Sequence, residues 1–286
     1  MTTKSKGESI RQRLNALSAK LGVRYSNLDT AFLIERLVAR LVADKTLSKN
    51  LVFKGGFVSL KVYESPRYTV DLDALLVKSE IESTLRLAQQ KAESDLHDGA
   101  WFRFEDQLDL ATHGEYGGVR QVYRAGVGEV LKNLKKAQVI HFDLGIGDPI
   151  TPGPRKIESP TLLFQDKDLS WSVYPIETII AEKLHALIAH GDANSRSKDI
   201  HDLAIFLPKA DVKVLNEAIK RCFDFRDTVL PSSLSDALDK LDTTRLEKGW
   251  PSAVASVKSA PSFKSAFATM VRLIAEAEKR PTKRKS

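Results

Sequence analysis

Two aspartates separated by one residue, Asp71 and Asp73, lie in the apolar segment YTVDLDALLV. The β-branched and aromatic residues of this segment favour a strand, and residues i and i+2 of a strand point to the same face of the sheet. Two carboxylates held side by side repel each other, and a divalent cation between them relieves that repulsion. The pair therefore predicts a magnesium (Mg2+) site, and a bound Mg2+ would also take phosphate oxygens.

A glycine pair, Gly55 and Gly56, follows the apolar run NLVFK and precedes the segment FVSLKVY. Phe57 and Leu60 in that segment have helical spacing, which predicts a short helix after a strand. A strand that ends at glycines before a helix leaves backbone N–H groups that can bind an anion. These glycines therefore predict a phosphate-binding turn beside the predicted metal-binding strand.

Two further residues of predicted strands bear on the same chemistry. Asp143 in VIHFDLGIGD has apolar neighbours, and such a carboxylate either faces solvent or joins a metal site. Thr69 precedes Asp71 by two residues, so a strand that includes Thr69 would place its hydroxyl on the face of both aspartates. A phosphoryl or nucleotidyl group on Thr69 would block nucleotide binding, although β-propensity alone also explains a threonine there.

A second group of charged residues follows later in the chain. Lys183 lies on an apolar predicted helix, where its ammonium either reaches solvent or meets an anion. Asp199 and Asp202 in RSKDIHDL have i, i+3 spacing and therefore share one helix face. They are either part of a functional site or residues that cap the helix and pair with nearby cations such as Arg196.

The composition is that of a folded protein with a basic surface. Among 286 residues, 44 Lys and Arg outnumber 37 Asp and Glu, which gives a net charge of +7, and part of the excess lies in the C-terminal EKRPTKRKS. This charge favours a nucleic-acid partner, although a basic tail can serve solubility alone. The sequence contains no long apolar run and no signal peptide, which predicts a cytoplasmic protein without a membrane partner. The single cysteine, Cys222, excludes an internal disulfide.

The order of predicted elements indicates an α+β fold. Two amphipathic helices open the chain, strands and helices alternate around the glycine and aspartate motifs, and the proline-rich DPITPGPRKIESP is predicted to be a linker. Beyond it the pattern is mainly helical. We expect a central mixed sheet flanked by helices in residues 1–150, and a mainly helical subdomain that completes the active site in residues 151–286.

Five segments in order, KGGFVSL, RYTVDLD, HFDLGIGD, IAEKLHAL and SKDIHDLAIFL, resemble the motifs of the AbiEii/AbiGii-type toxins. Those toxins are nucleotidyltransferase-like proteins of bacterial toxin–antitoxin systems, related to the DNA polymerase β superfamily. The resemblance extends from about Leu51 to Leu207, and it implies a nucleotidyltransferase-like core.

The resemblance also implies roles for the matched residues. It assigns the metal to Asp71, Asp73 and Asp143. It assigns catalysis to Asp71, Asp73, Asp143, Lys183 and Asp202. It assigns nucleotide binding to Lys54, Gly55, Gly56, Ser59, Arg67, Lys183 and Asp199.

The activity that the resemblance implies is transfer of nucleotides from a nucleoside triphosphate (NTP) to the 3′ acceptor end of tRNA. Such a modification would block translation, and a cognate antitoxin protein would be the partner. Two alternatives remain open: a phosphotransferase that modifies a protein or RNA hydroxyl, and a non-catalytic nucleic-acid-binding relative.

Overall fold

The computed structural model describes residues 2–112, 115–164 and 168–279, so residues 280–286 of the basic C-terminal segment lie outside the described part. Two compact units make up the chain. The first is formed by the described residues of Met1–Val62, Tyr68–Gly147 and Arg155–Val173. The second is formed by the described residues of Tyr63–Arg67, Asp148–Pro154 and Tyr174–Ser286.

A mixed β-sheet is the framework of the first unit. Its described strands are β1 (Leu51–Lys54), β2 (Asp71–Leu76), β3 (Ala100–Thr112), β4 (Glu115–Val127), β5 (Gln138–Ile146), β6 (Arg155–Pro160) and β7 (Asp168–Val173). They form one sheet in the order β3-β4-β5-β2-β1-β7-β6. The pairs β2–β5 and β1–β7 are parallel and the other pairs are antiparallel. The predicted α+β fold with a central mixed sheet is confirmed.

Helices flank this sheet. They are α1 (Thr3–Leu21), α2 (Tyr25–Ala43), α3 (Lys45–Asn50), α4 (Gly55–Lys61) and α5 (Ile81–Ala92). Helix α2 contacts β5 and is buried along most of its length. Its buried Arg40 donates to both carboxylate oxygens of Asp98, at 2.8 and 2.9 Å. This pairing lets a charged residue occupy an otherwise apolar helix, because buried charges are tolerated only with hydrogen-bonded partners.

The two faces of the central strands have different characters. In β2 the side chains of Leu72 and Ala74 are fully buried, whereas Asp71 and Asp73 are half-buried. In β5 the same alternation separates the buried Phe142 from the half-buried residues on either side of it. Because side chains alternate across a strand, one face of the sheet joins the core and the other carries polar groups.

The segment predicted to be a linker contains a strand, so that prediction is wrong in part. Residues 155–160 form β6, which pairs antiparallel with β7 from Arg155 opposite Val173 to Pro160 opposite Asp168. Strand β6 is at the edge of the sheet, and an edge strand can end in proline because it need not donate on its outer side. Because prolines are rare in strands, the several prolines before Arg155 indicated a linker rather than a strand.

The second unit is mainly helical, as predicted for the C-terminal half. Its described helices are α6 (Ile176–His190), α7 (Ser197–Phe206), α8 (Val212–Phe225), α9 (Leu234–Asp239), α10 (Thr244–Ala253) and α11 (Phe263–Lys279). Helix α7 contacts α6, α10 and α11. Its residues Leu203 and Phe206 are fully buried and belong to the apolar core of this unit. Among the described residues, no helix has the length and apolar character needed to cross a membrane.

Candidate active site

Three aspartates of the first unit occupy one face of the sheet. Asp71 and Asp73 share a face of β2, and Asp143 of β5 lies directly opposite Asp73 in the parallel pair. The side chains of Asp71 and Asp143 are 33% and 16% exposed, so solvent reaches both. The predicted strand position of all three residues is confirmed, and the structure places them side by side.

Two basic residues that the sequence analysis did not select lie among these carboxylates. Arg120 of β4 is opposite Asp143 and donates to it from Nε and Nη2, both at 2.7 Å. His141 is opposite Asp71, with its Nδ1 2.8 Å from Asp71 Oδ1. His141 could have been found from the sequence, because it precedes Asp143 by two residues and therefore shares its face. Arg120 could not, because only the strand pairing brings it there.

Close approach of the backbone explains the glycine pair. Gly55 has φ +73°, and a Cβ on it would lie 2.0 Å from Asp73 Oδ2. A Cβ on Gly56 would lie 2.8 Å from Thr69 Oγ1. The left-handed conformation and the lack of space both require glycine at position 55. The first turn of α4 can therefore lie directly against the carboxylate of Asp73.

Two other residues assigned to the nucleotide lie beside this turn. Lys54 ends β1 and is opposite Asp73, on the face that carries the carboxylates. Ser59 is fully buried, and its hydroxyl donates to the Gly55 carbonyl at 2.9 Å. That hydrogen bond favours a structural role for Ser59, and its contact with a phosphate stays a prediction.

Thr69 is not part of the strand, so the prediction that it continues the strand face of the aspartates is wrong. Strand β2 begins at Asp71, and the Thr69 hydroxyl instead accepts from the Asp71 backbone N–H at 3.4 Å. A threonine hydroxyl commonly makes this local bond to the backbone two residues later, which turns the chain before the strand starts. Modification of Thr69 stays a prediction.

A buried ionic cluster in the second unit joins four of the other predicted site residues. Lys183 Nζ of α6 is 2.6 Å from Asp199 Oδ1 and 2.9 Å from Asp202 Oδ2. Arg67 Nη2 is 2.9 Å from Asp202 Oδ2. Arg196 Nε adds a contact of 2.6 Å to Asp199 Oδ2. Both carboxylates are fully buried, and i, i+3 spacing on α7 directs them toward the same cations.

The charges in this cluster shift the pKa values of its members. Burial alone would raise the pKa of Asp202, but the charge of Lys183 and the charge and hydrogen bonds of Arg67 hold that pKa well below its usual range. Burial likewise opposes ionisation of Lys183, but Asp199 and Asp202 raise its pKa above the usual lysine value. Lys183, Asp199 and Asp202 are therefore charged at neutral pH. Arg196 thus pairs with Asp199, whereas Asp202 pairs with Arg67 and Lys183. The functional roles of Asp199 and Asp202, and contact of Lys183 with a triphosphate, stay predictions.

The residues of the first unit suit a divalent cation to different degrees. Asp71 and Asp73 are half-buried oxygen donors on one face, which is the donor chemistry that Mg2+ prefers. Asp143 differs because both of its oxygens accept from Arg120. Within residues 2–112, 115–164 and 168–279, no three or more His, Cys, Asp or Glu side chains form a preassembled metal site. The donor chemistry therefore fits best at Asp71 and Asp73, and Asp143 as a third ligand stays a prediction.

Two solved structures of proteins from Helicobacter pylori resemble this fold. JHP933 has a TM-score of 0.54 and 18% sequence identity, and the alignment covers 90% of this chain and 94% of that chain. A candidate nucleotidyltransferase has a TM-score of 0.52 and 19% identity, and the alignment covers 86% of this chain and 92% of that chain. At these identities the likeness establishes the fold.

Sequence comparison identifies the family. A search of curated proteins found no match. The family model of the nucleotidyl transferase AbiEii toxins of type IV toxin–antitoxin systems matches residues 36–269. This range includes every residue assigned above to metal, nucleotide or catalysis. The chain therefore belongs to the AbiEii nucleotidyl transferase toxin family.

Proposed function

We propose that this toxin is a metal-dependent nucleotidyltransferase that transfers nucleotides from an NTP to the 3′ end of tRNA and thereby stops translation. The observation that carries the proposal is the position of Asp71 and Asp73 on one solvent-accessible face, with Asp143 on the neighbouring strand. Nucleotidyl transfer depends mainly on positioning and charge neutralisation, and clustered carboxylates with adjacent bases supply both.

Asp71 and Asp73 would hold Mg2+, and His141 would keep the Asp71 carboxylate oriented through the 2.8 Å contact. Bound Mg2+ would neutralise triphosphate charge and lower the pKa of the attacking hydroxyl. Lys54, opposite Asp73, would contact phosphate oxygens. Asp143 would bind a second Mg2+ or accept the proton of the attacking hydroxyl. The hydroxyl oxygen forms a bond to the α-phosphorus, the bond to pyrophosphate breaks, and the proton passes to a carboxylate or to solvent.

Two properties support tRNA as the acceptor. The net charge of +7 favours a polyanionic substrate, because cationic side chains release the counterions condensed on a nucleic acid. Membership of a toxin family requires a target whose modification stops growth. A tRNA with extra nucleotides at its 3′ end cannot be aminoacylated, so its modification would stop translation. The antitoxin partner would counteract this modification.

Incubation with total RNA and each NTP, labelled at the α- or the γ-phosphate, tests the proposal. Label from the α-position in RNA of tRNA size, lost in EDTA and in Asp71→Asn, is the expected result. Transfer of the γ-label would instead indicate a phosphotransferase. RNA binding without transfer of either label would indicate a non-catalytic binding protein.

A further inference from the structure

Four charged residues form one row across four adjacent strands of the first unit. Lys54 of β1 is opposite Asp73 of β2, Asp73 is opposite Asp143 of β5, and Asp143 is opposite Arg120 of β4. Directly opposed residues project to the same face of a sheet, and neighbouring strands are about 4.8 Å apart. The row therefore has two carboxylates in the middle and one cation at each end.

Arg120 neutralises the charge of the Asp143 carboxylate, as a bound metal ion would. Its guanidinium makes two parallel hydrogen bonds of 2.7 Å to the two carboxylate oxygens, which is the strongest geometry of an arginine–carboxylate pair. Hydrogen bonding to Asp143 and the nearby negative charges of Asp71 and Asp73 raise the pKa of Arg120 above its usual value. The guanidinium thus neutralises the repulsion among three carboxylates on one face.

This pairing competes with metal binding. A divalent cation at Asp143 would be repelled by a guanidinium bonded to both oxygens of the same carboxylate. Asp143 can therefore offer both of its oxygens to a cation only if Arg120 releases them. A planar guanidinium also fits two phosphate oxygens as well as it fits a carboxylate. The side chain is 28% exposed, so it has room to turn toward a ligand on the same face.

On these grounds, and resting on the proposed function, we propose that Arg120 is a nucleotide-binding residue that exchanges partners. Without ligand it holds Asp143. When Mg2+ and NTP bind, it releases Asp143 to the cation and binds phosphate oxygens of the nucleotide. Arg120 and Lys54, at opposite ends of the row, would then both contact the triphosphate, and the aspartates between them would hold the cation.

Binding measurements on Arg120→Ala and Arg120→Lys test the exchange without relying on catalysis. Arg120→Ala should bind Mn2+ alone about tenfold more tightly than the wild type, because Asp143 is no longer neutralised. In the Asp143→Asn background, Arg120→Ala should not increase the affinity for Mn2+. The affinity for each NTP with Mg2+ should fall by about tenfold or more in Arg120→Ala. Arg120→Lys should restore only part of that lost affinity.

Arg124→Ala is the matched control, because Arg124 lies on the same strand and pairs with Glu105 at 2.7 Å, away from the aspartates. Arg124→Ala should change neither the affinity for Mn2+ nor the affinity for NTP with Mg2+. Circular dichroism of each variant reports folding, and Arg120→Lys keeps the test available if the alanine variant does not fold. Unchanged or undetectable Mn2+ binding in Arg120→Ala, or unchanged NTP binding, would overturn the exchange. Absence of α-label transfer by the wild type, with these affinity changes intact, would refute only the proposed reaction.

Discussion

Asp73 and Asp143 lie directly opposite each other on parallel strands β2 and β5. A parallel pair at this register brings two carboxylates from distant parts of the chain to neighbouring positions on one face. Such a pair is unfavourable by itself, and Arg120 compensates for it. The protein therefore retains a costly arrangement of charge, which is typical of functional sites.

Loss of either aspartate of β2 should abolish transfer. Asp71→Asn and Asp73→Asn should each lower kcat by more than roughly 100-fold, since changes to groups that only orient a metal ligand already cost about 10–100-fold. Thermal unfolding should be unchanged or slightly raised, because carboxylate repulsion is relieved. Asp109→Asn, at an exposed position of β3, is the control and should keep wild-type kcat in the α-label assay. Wild-type kcat in either test variant would refute this assignment of the active site.

Gly55→Ala should damage the site through Asp73. The added Cβ would lie 2.0 Å from Asp73 Oδ2 at a backbone φ of +73°, so the carboxylate must move and the backbone is strained. We expect a loss of stability of about 1–3 kcal/mol and weaker Mn2+ binding. Gly117→Ala on β4, where a Cβ meets no atom within 4 Å, is the control. Unaltered Mn2+ affinity in Gly55→Ala would show that Asp73 does not bind the cation.

Lys183 should be essential for the stability of the second unit. Lys183→Met leaves Asp199 and Asp202 with one cation fewer in a buried setting, and should cost about 3–5 kcal/mol in urea unfolding. Adding Asp199→Asn should recover part of that loss, because one uncompensated charge is removed. Lys213→Met, at an exposed position of α8, should have little effect. A stable Lys183→Met protein with no transfer activity would instead favour a direct catalytic role for Lys183.

The depressed pKa of Asp202 predicts a specific response to acid. A carboxyl group whose pKa is lowered by folding contributes stability above its unfolded value, and that contribution is lost as the pH falls through the folded value. Stability from this group should be constant at neutral pH and decline below about pH 4. Urea unfolding of Asp202→Asn should show lower stability at pH 7 and a shallower acid decline than the wild type. Asp239→Asn, exposed on α9, should retain the wild-type profile.

The sequence by itself determined the features that depend on local geometry. Strand alternation was sufficient to place Asp71 and Asp73 on one face, because side chains of any strand alternate with a period of two. Helical spacing was sufficient for α4 after the glycines and for the helical C-terminal half, because the period of an amphipathic helix is equally local. The i, i+3 spacing likewise placed Asp199 and Asp202 on a common face.

Only the tertiary structure decided which residues meet across elements. Strand order and register depend on packing between distant segments, so the positions of Arg120 opposite Asp143 and of Lys54 opposite Asp73 could not be read from spacing. The same holds for Lys183, whose ion pairs with α7 exist only because α6 and α7 pack together. Thr69 differs from its local prediction because contact with Gly56 and a bond to the Asp71 backbone turn the chain before the strand begins.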